Sequence, residues 1–222
     1  TAHANLGSSY ANSRLWAEAK VHGEQALAID RKHLGDTHAD VAFDLDILAN
    51  AELGLGNVEQ AADYARRSSE VWAATVGRDH TRYASALERL ADILRTGGDH
   101  EAALAPAEEA LDVMLAANGP DHSYTADAQY TIGKVLMDLD RLDEARDHAS
   151  EASRVRAEML GLVHPGYWDA ELSLARIELR AERYDDARER LTVLIDRIEG
   201  SDKPAHANLA TAKTLLSDAS RR

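Results

Sequence analysis

Ten histidines are the residues most open to chemistry in this 222-residue chain, and five of them are in register. His38, His80, His122, His164 and His206 stand 42 positions apart. Histidine is a common metal ligand and general base, so such a row invites a metal or proton-transfer reading. Geometry argues against it. A metal ion draws each ligand nitrogen to about 2.0–2.1 Å, whereas residues one repeat apart sit a whole structural unit from each other. Each linker His is expected to bond locally, fixing a turn and the next helix start. Thr37, Asp79 and Asp121 beside them are expected as the helix caps. Asp121-His122-Ser123 contains the residue types of a hydrolytic triad, but adjacent residues cannot face one another in the required geometry. There is no Gly-x-Ser-x-Gly, no His-Glu-x-x-His and no phosphate loop ending in Gly-Lys-Ser/Thr. Cysteine is absent, which removes disulfides, thiolate metal sites and cysteine nucleophiles. The sequence predicts no enzyme activity, no metal and no cofactor.

The elements that position these residues form an internal repeat. Gly35, Gly77, Gly119 and Gly161 precede the first four histidines by three. Ala19, Ala61, Ala103, Ala145 and Ala187 keep the same period. Leu6, Leu48, Leu90, Ile132, Leu174 and Leu216 make an apolar column, with Gly7, Ala49, Ala91, Gly133, Ala175 and Ser217 as a small column beside it. Apolar residues at helical spacing place a first type of helix near 1–12, 39–54, 81–96, 123–138, 165–181 and 205–219. A second type falls near 16–33, 57–76, 99–117, 141–160 and 184–199. Gly56, Gly97, Gly98 and Asp140 mark the turn inside a repeat. No segment alternates with period two, so no sheet is expected. Tandem helix pairs stack into a solenoid, and the small columns let neighbouring backbones approach closely. Pro106 inside a long helix removes a backbone donor and predicts a mild bend. Trp16 shares a column with Val58, His100, Leu142 and Tyr184, a packing column. Trp72 is read as core, and Trp168 is open between core and surface.

Composition agrees. The 41 alanines, 4 prolines and 5% aromatics describe a helical chain. No apolar run reaches the 18 residues of a membrane span. The net charge of -14 argues against nucleic acid as a partner. Thr1 already lies in a helical pattern without an initiator Met, so the expectation is a fragment of a longer protein with a possible upstream domain. Its 20 arginines against 5 lysines suit a GC-rich bacterial genome, and the expected location is cytoplasmic.

One repeat reads Leu48-Ala49, then Gly56-Asn57-Val58-Glu59-Gln60-Ala61, then Ser68. Another reads Ile132-Gly133, Asp140-Arg141-Leu142-Asp143-Glu144-Ala145 and Ala152. This pattern resembles the tetratricopeptide repeat. The 42-residue unit with its Leu160 to Pro165 linker resembles the kinesin-light-chain type, which is common in bacterial proteins. The family's favoured Trp in the first helix is replaced by His3, Leu45, Leu87, Gln129 and Glu171. The resemblance implies an all-α fold, a right-handed α-α superhelix of about five helix pairs plus a capping helix. Residues 1–222 are expected to be a single array, with repeats about 1–38, 39–80, 81–122, 123–164 and 165–204 and the cap at 205–219. Lys203-Pro204-Ala205-His206 lacks the linker Gly and suits a closing end.

The resemblance also implies that the first helices line a concave peptide groove. Carried over by column, it names Asn5, Asn12, Phe43, Ile47, Asn50, Arg89, Tyr130, Lys134, Leu172, Arg176 and Arg180. Asparagines both donate and accept, which suits an extended peptide backbone. Phe43, Ile47, Tyr130 and Leu172 would bury apolar side chains. Arg89, Lys134, Arg176 and Arg180 place cations in an otherwise acidic protein, where a concave site focuses their potential on acidic partner residues. Against this, Asp92, Asp127, Asp138 and Asp169 can balance those cations. The expected function is a non-catalytic scaffold for a partner protein or peptide. The alternatives are a regulatory array of a larger bacterial signalling protein, such as a Ser/Thr kinase, and a self-associating solenoid.

Overall fold

The computed structural model describes residues 1–202 and 206–221. Every regular element among them is an α-helix: α1 (Ala2–Asn12), α2 (Trp16–Leu34), α3 (Ala39–Gly54), α4 (Val58–Val76), α5 (Thr81–Thr96), α6 (His100–Asn118), α7 (Ser123–Asp138), α8 (Leu142–Leu160), α9 (Pro165–Arg180), α10 (Tyr184–Glu199) and α11 (His206–Ser220). The helices alternate as the repeat predicts, within a residue or two at their ends. The expected repeat end at 204 and cap start at 205 lie outside the described residues. Pro106 sits inside α6.

The chain divides into two compact units, Thr1–Ala117 and Asn118–Arg222. In the first, Leu27, Val41, Leu45 and Leu48 form one buried cluster, edged by Tyr64 and Val71. Ala49, Ala61, Ala62, Ala65, Leu90 and Ile93 form another. In the second, Trp168, Leu172, Leu191, Leu194, Ile198 and Ala212 share one core. Each buried Leu or Ile contributes about 1.5–3 kcal/mol through the water it sheds. The small column works as the sequence argues: a Cβ on Gly133 would stand 3.3 Å from the Ala145 carbonyl and 3.4 Å from the Ala149 nitrogen. Trp168 resolves to core, fully buried, its indole N–H donating to the Leu162 carbonyl at 2.9 Å.

Four linker histidines are helix N-caps, which corrects the expectation that Thr37, Asp79 and Asp121 would be. Nδ1 of His38, His80, His122 and His164 accepts from the backbone N–H of Asp40, Arg82, Tyr124 and Gly166 at 3.1, 3.0, 3.1 and 3.0 Å. Imidazole Nδ1 is as many bonds from the backbone as an Asn side-chain oxygen, so it reaches the same N–H. An accepting Nδ1 carries no proton, so the ring proton is on Nε2. The residues beside the caps serve otherwise. The Thr37 carbonyl accepts from Thr75, and Asp121 pairs with Arg154 at 2.6 Å.

The two turns of the repeat differ. Between repeats, Gly35, Gly77 and Gly161 adopt φ 86, 91 and 83 with ψ 168, 161 and 161, a region essentially reserved for glycine. Inside repeats, Arg14, Gly56, Gly98, Asp140 and Glu182 share one left-handed position. The next residue's N–H then reaches five back, as from Asn57 to Glu52 at 2.9 Å and from Arg183 to Glu178 at 2.8 Å. This bond satisfies a carbonyl at the helix end.

Candidate binding face on the first helices

On the first unit, Asn5 and Asn12 are exposed on α1. Phe43 is 40% exposed on α3, whereas Ile47 is 4% exposed and packs with Ala4 and Ala26. Arg89 reaches across from α5. Its Nη1 donates to the Asn50 side-chain oxygen at 2.6 Å, and its Nε lies 3.3 Å from Asp46. Asp46 also accepts from Ser68 of α4 at 2.7 Å. The structure thus joins Asn50 and Arg89 to each other. Both are half-buried, and the acid that neutralises Arg89 comes from the neighbouring first helix.

On the second unit, Tyr130 of α7 is gripped by two cations. The Arg156 guanidinium lies 4.3 Å from its ring centre and the Lys134 ammonium 4.9 Å. Such contacts contribute roughly 0.5–1 kcal/mol at exposed sites. Arg156 also bonds Asp127 at 2.7 Å and the Gly166 carbonyl at 3.1 Å. Arg180 of α9 pairs with Asp140 at 3.1 Å and lies 3.8 Å from Asp138. Arg176 is exposed, with no ion pair among the described residues. Leu172 is 4% exposed and belongs to the α9–α10 core. Asn208 of α11 donates to Asp169 at 2.7 Å.

Arg156 escaped the column argument because it stands on a second helix. A signal existed: positions 72, 114 and 198, at 42-residue steps from it, hold Trp, Met and Ile. The column that replaces the family's Trp carries a chemical pairing. His3 lies 3.0 Å from His22, Gln129 2.5 Å from His148 and Glu171 2.8 Å from Arg190, each within one helix pair. Arg190 also holds Glu178 at 2.8 Å. Burial alone lowers the affinity of the Arg190 guanidinium for its proton, and the bonds to Glu178 and Glu171 more than reverse this, so its pKa is raised. No group of three or more His, Asp or Glu among the described residues is placed to hold a metal ion.

No curated protein sequence matches the chain. Among solved structures it is similar to the nearly identical TPR-like repeats of a Podosopora anserina protein named for kinesin light chain, with 20% identity and a TM-score of 0.76 over 88% of this chain and 92% of that one. It is also similar to BtubC (BKLC) from P. vanneervenii, with 16% identity and a TM-score of 0.67 over 97% of this chain and 76% of that one. A Rap protein complexed with competence and sporulation factor matches with 18% identity and a TM-score of 0.70, over 96% of this chain and 62% of that one. These likenesses are of fold. Family models described as tetratricopeptide repeat match residues 2–40, 44–116 and 124–199. With its all-α pairs, its small columns and these matches, the chain belongs to the tetratricopeptide-repeat family, whose fold is the α-α superhelix and whose usual role is interaction rather than catalysis.

Proposed function

We propose that the chain is a non-catalytic scaffold that binds a partner's peptide segment along its first helices and prefers acidic residues in that segment. The observation that carries this is exposed Arg176 on α9, in the same unit as the Tyr130, Lys134 and Arg156 cluster. An exposed guanidinium without a carboxylate of its own is ready to clamp one from a partner. Exposed Asn5, Asn12 and Phe43 would supply backbone pairing and apolar contact on the first unit. Ile47 and Leu172 would act beneath the surface, as packing. This reading treats residues 1–222 as one array and places it in the cytoplasm. No described helix is long and apolar enough to cross a membrane.

The test is a peptide-display selection against the protein at low and moderate salt. Acidic peptides should enrich, and binding should weaken with salt. Lys134→Glu with Arg176→Glu should abolish that enrichment. Unchanged affinity in the double variant removes the cationic face from the proposal. A regulatory array within a larger signalling protein is the second reading, favoured by the similarity to a Rap protein solved with a factor bound. A kinase domain in the upstream reading frame would favour it over a free-standing scaffold.

A further inference from the structure

A buried pair in the first unit departs from the register of the other repeats. Asp44 on α3 is fully buried, and Asp30 on α2 is 3% exposed. Among the described residues, both Asp44 oxygens and Asp30 Oδ2 have no hydrogen-bond partner. Positions 86, 128 and 170, in the column of Asp44, are all buried Ala. The two carboxyls lie within hydrogen-bonding reach of each other, across the junction between the first two helix pairs. Two ionised carboxylates cannot both stay in such a place, since each lacks water and repels the other.

We propose that Asp30 and Asp44 are a proton-binding pair that locks α3 onto α2 and loosens as the pH rises. A proton on Asp44 turns an unpartnered oxygen into a donor, with Asp30 as its acceptor. A metal ion fits less well, because no third ligand group completes a site among the described residues. Burial and then Asp30 push the Asp44 carboxyl up to about 7; Asp40 on the same helix adds to this, and the Thr1 amino group at the start of α1 opposes it. From α4, which also packs on α3, the Ser68 hydroxyl bonds Asp46 and the Ala42 carbonyl. An acid whose folded pKa is raised adds most stability below its unfolded value near 3.8 and loses it as pH climbs toward 7. Opening of this junction frees a proton, so its opening constant rises about tenfold per pH unit across that window.

Hydrogen exchange on the full chain, corrected for intrinsic rates, tests this with Asp44→Ala and Asp44→Asn alongside the wild type. From pH 5 to 7 the opening constant of α2 and α3 amides should rise about fiftyfold more in wild type than in either variant. Equal pH dependence in all three overturns the proposal. So does protection of the wild type by calcium or magnesium at pH 8 that the variants lack, which would make the pair a cation site. Carbon NMR of the Asp44 carboxyl needs no variant: a midpoint near 7 supports the pair, and one below 5 overturns it.

Discussion

Asp44 in the first unit and Glu178 in the second are both fully buried carboxylates on a first helix, yet they are satisfied by opposite means. Glu178 is bound through both oxygens by Arg190, which also holds Glu171. Asp44 has no such partner among the described residues, and the neighbouring side chain that acts on it most is another acid, Asp30. The desolvation problem is the same, and a guanidinium solves it at every ordinary pH, whereas a proton solves it only where the acid keeps it. Glu52, one of Glu178's column mates, takes the first solution within the first unit, with Lys20 at 2.8 Å and Asn57 at 2.7 Å. The contrast therefore belongs to the pairs rather than to the units.

The largest expected effect comes from removing the guanidinium. Arg190→Ala takes the guanidinium from Glu178 and leaves Glu171 with the Ser153 hydroxyl, and should lower stability by about 3–5 kcal/mol, read by denaturant unfolding. Replacing Arg190, Glu171 and Glu178 together with apolar residues of similar volume should recover most of that loss. A small effect of the single change would erase the contrast with Asp44. Next, Asp44→Ala should raise stability at pH 8 by about 1–3 kcal/mol, the usual penalty of an unsatisfied buried polar group. That gain should shrink as pH falls from about 7 toward 4, because the wild-type carboxyl then carries its proton. A variant less stable than wild type at pH 8 would reverse the comparison.

The turns sharpen it with a backbone counterpart. Gly77→Ala and Gly161→Ala should each lower the melting temperature, by an amount equivalent to about 1–3 kcal/mol. Glu182→Gly should raise it, since the left-handed position strains a residue with a Cβ. Smallest are the caps, which are alike in both units. His80→Ala and His164→Ala should each cost about 0.5–2 kcal/mol, and Asn at either position should restore most of it. Unequal losses would show that the units differ in more than their buried charges.

Much of this was legible in the sequence. Helical pairing, turns and small columns repeat every 42 residues, so each position is confirmed several times over. The binding face was legible only in part. Column arguments place Asn50 and Arg89 on neighbouring helices, but not the 2.6 Å bond between them. They also treat Ile47 and Leu172 as surface, because a column says which way a residue points on its own helix and not what the next helix covers. The linker His bonds locally at each helix start as expected, but that it, and not the residue before it, is the cap was missed, as was Arg156, for a related reason. The side chain that reaches a given atom depends on bond counts and on the distance between elements, neither of which is periodic.

The sequence by itself determined the architecture, since local propensity, turn chemistry and apolar period agree in every repeat and each repeat checks the others. Only the tertiary structure decided which charges are neutralised and by what. Pairing requires two groups from different helices to meet within about 3 Å, and burial sets what an unmet charge costs. The 42-residue columns show that Asp44 stands where other repeats have Ala, but only folding brings it to Asp30, 14 positions away, with both out of reach of water.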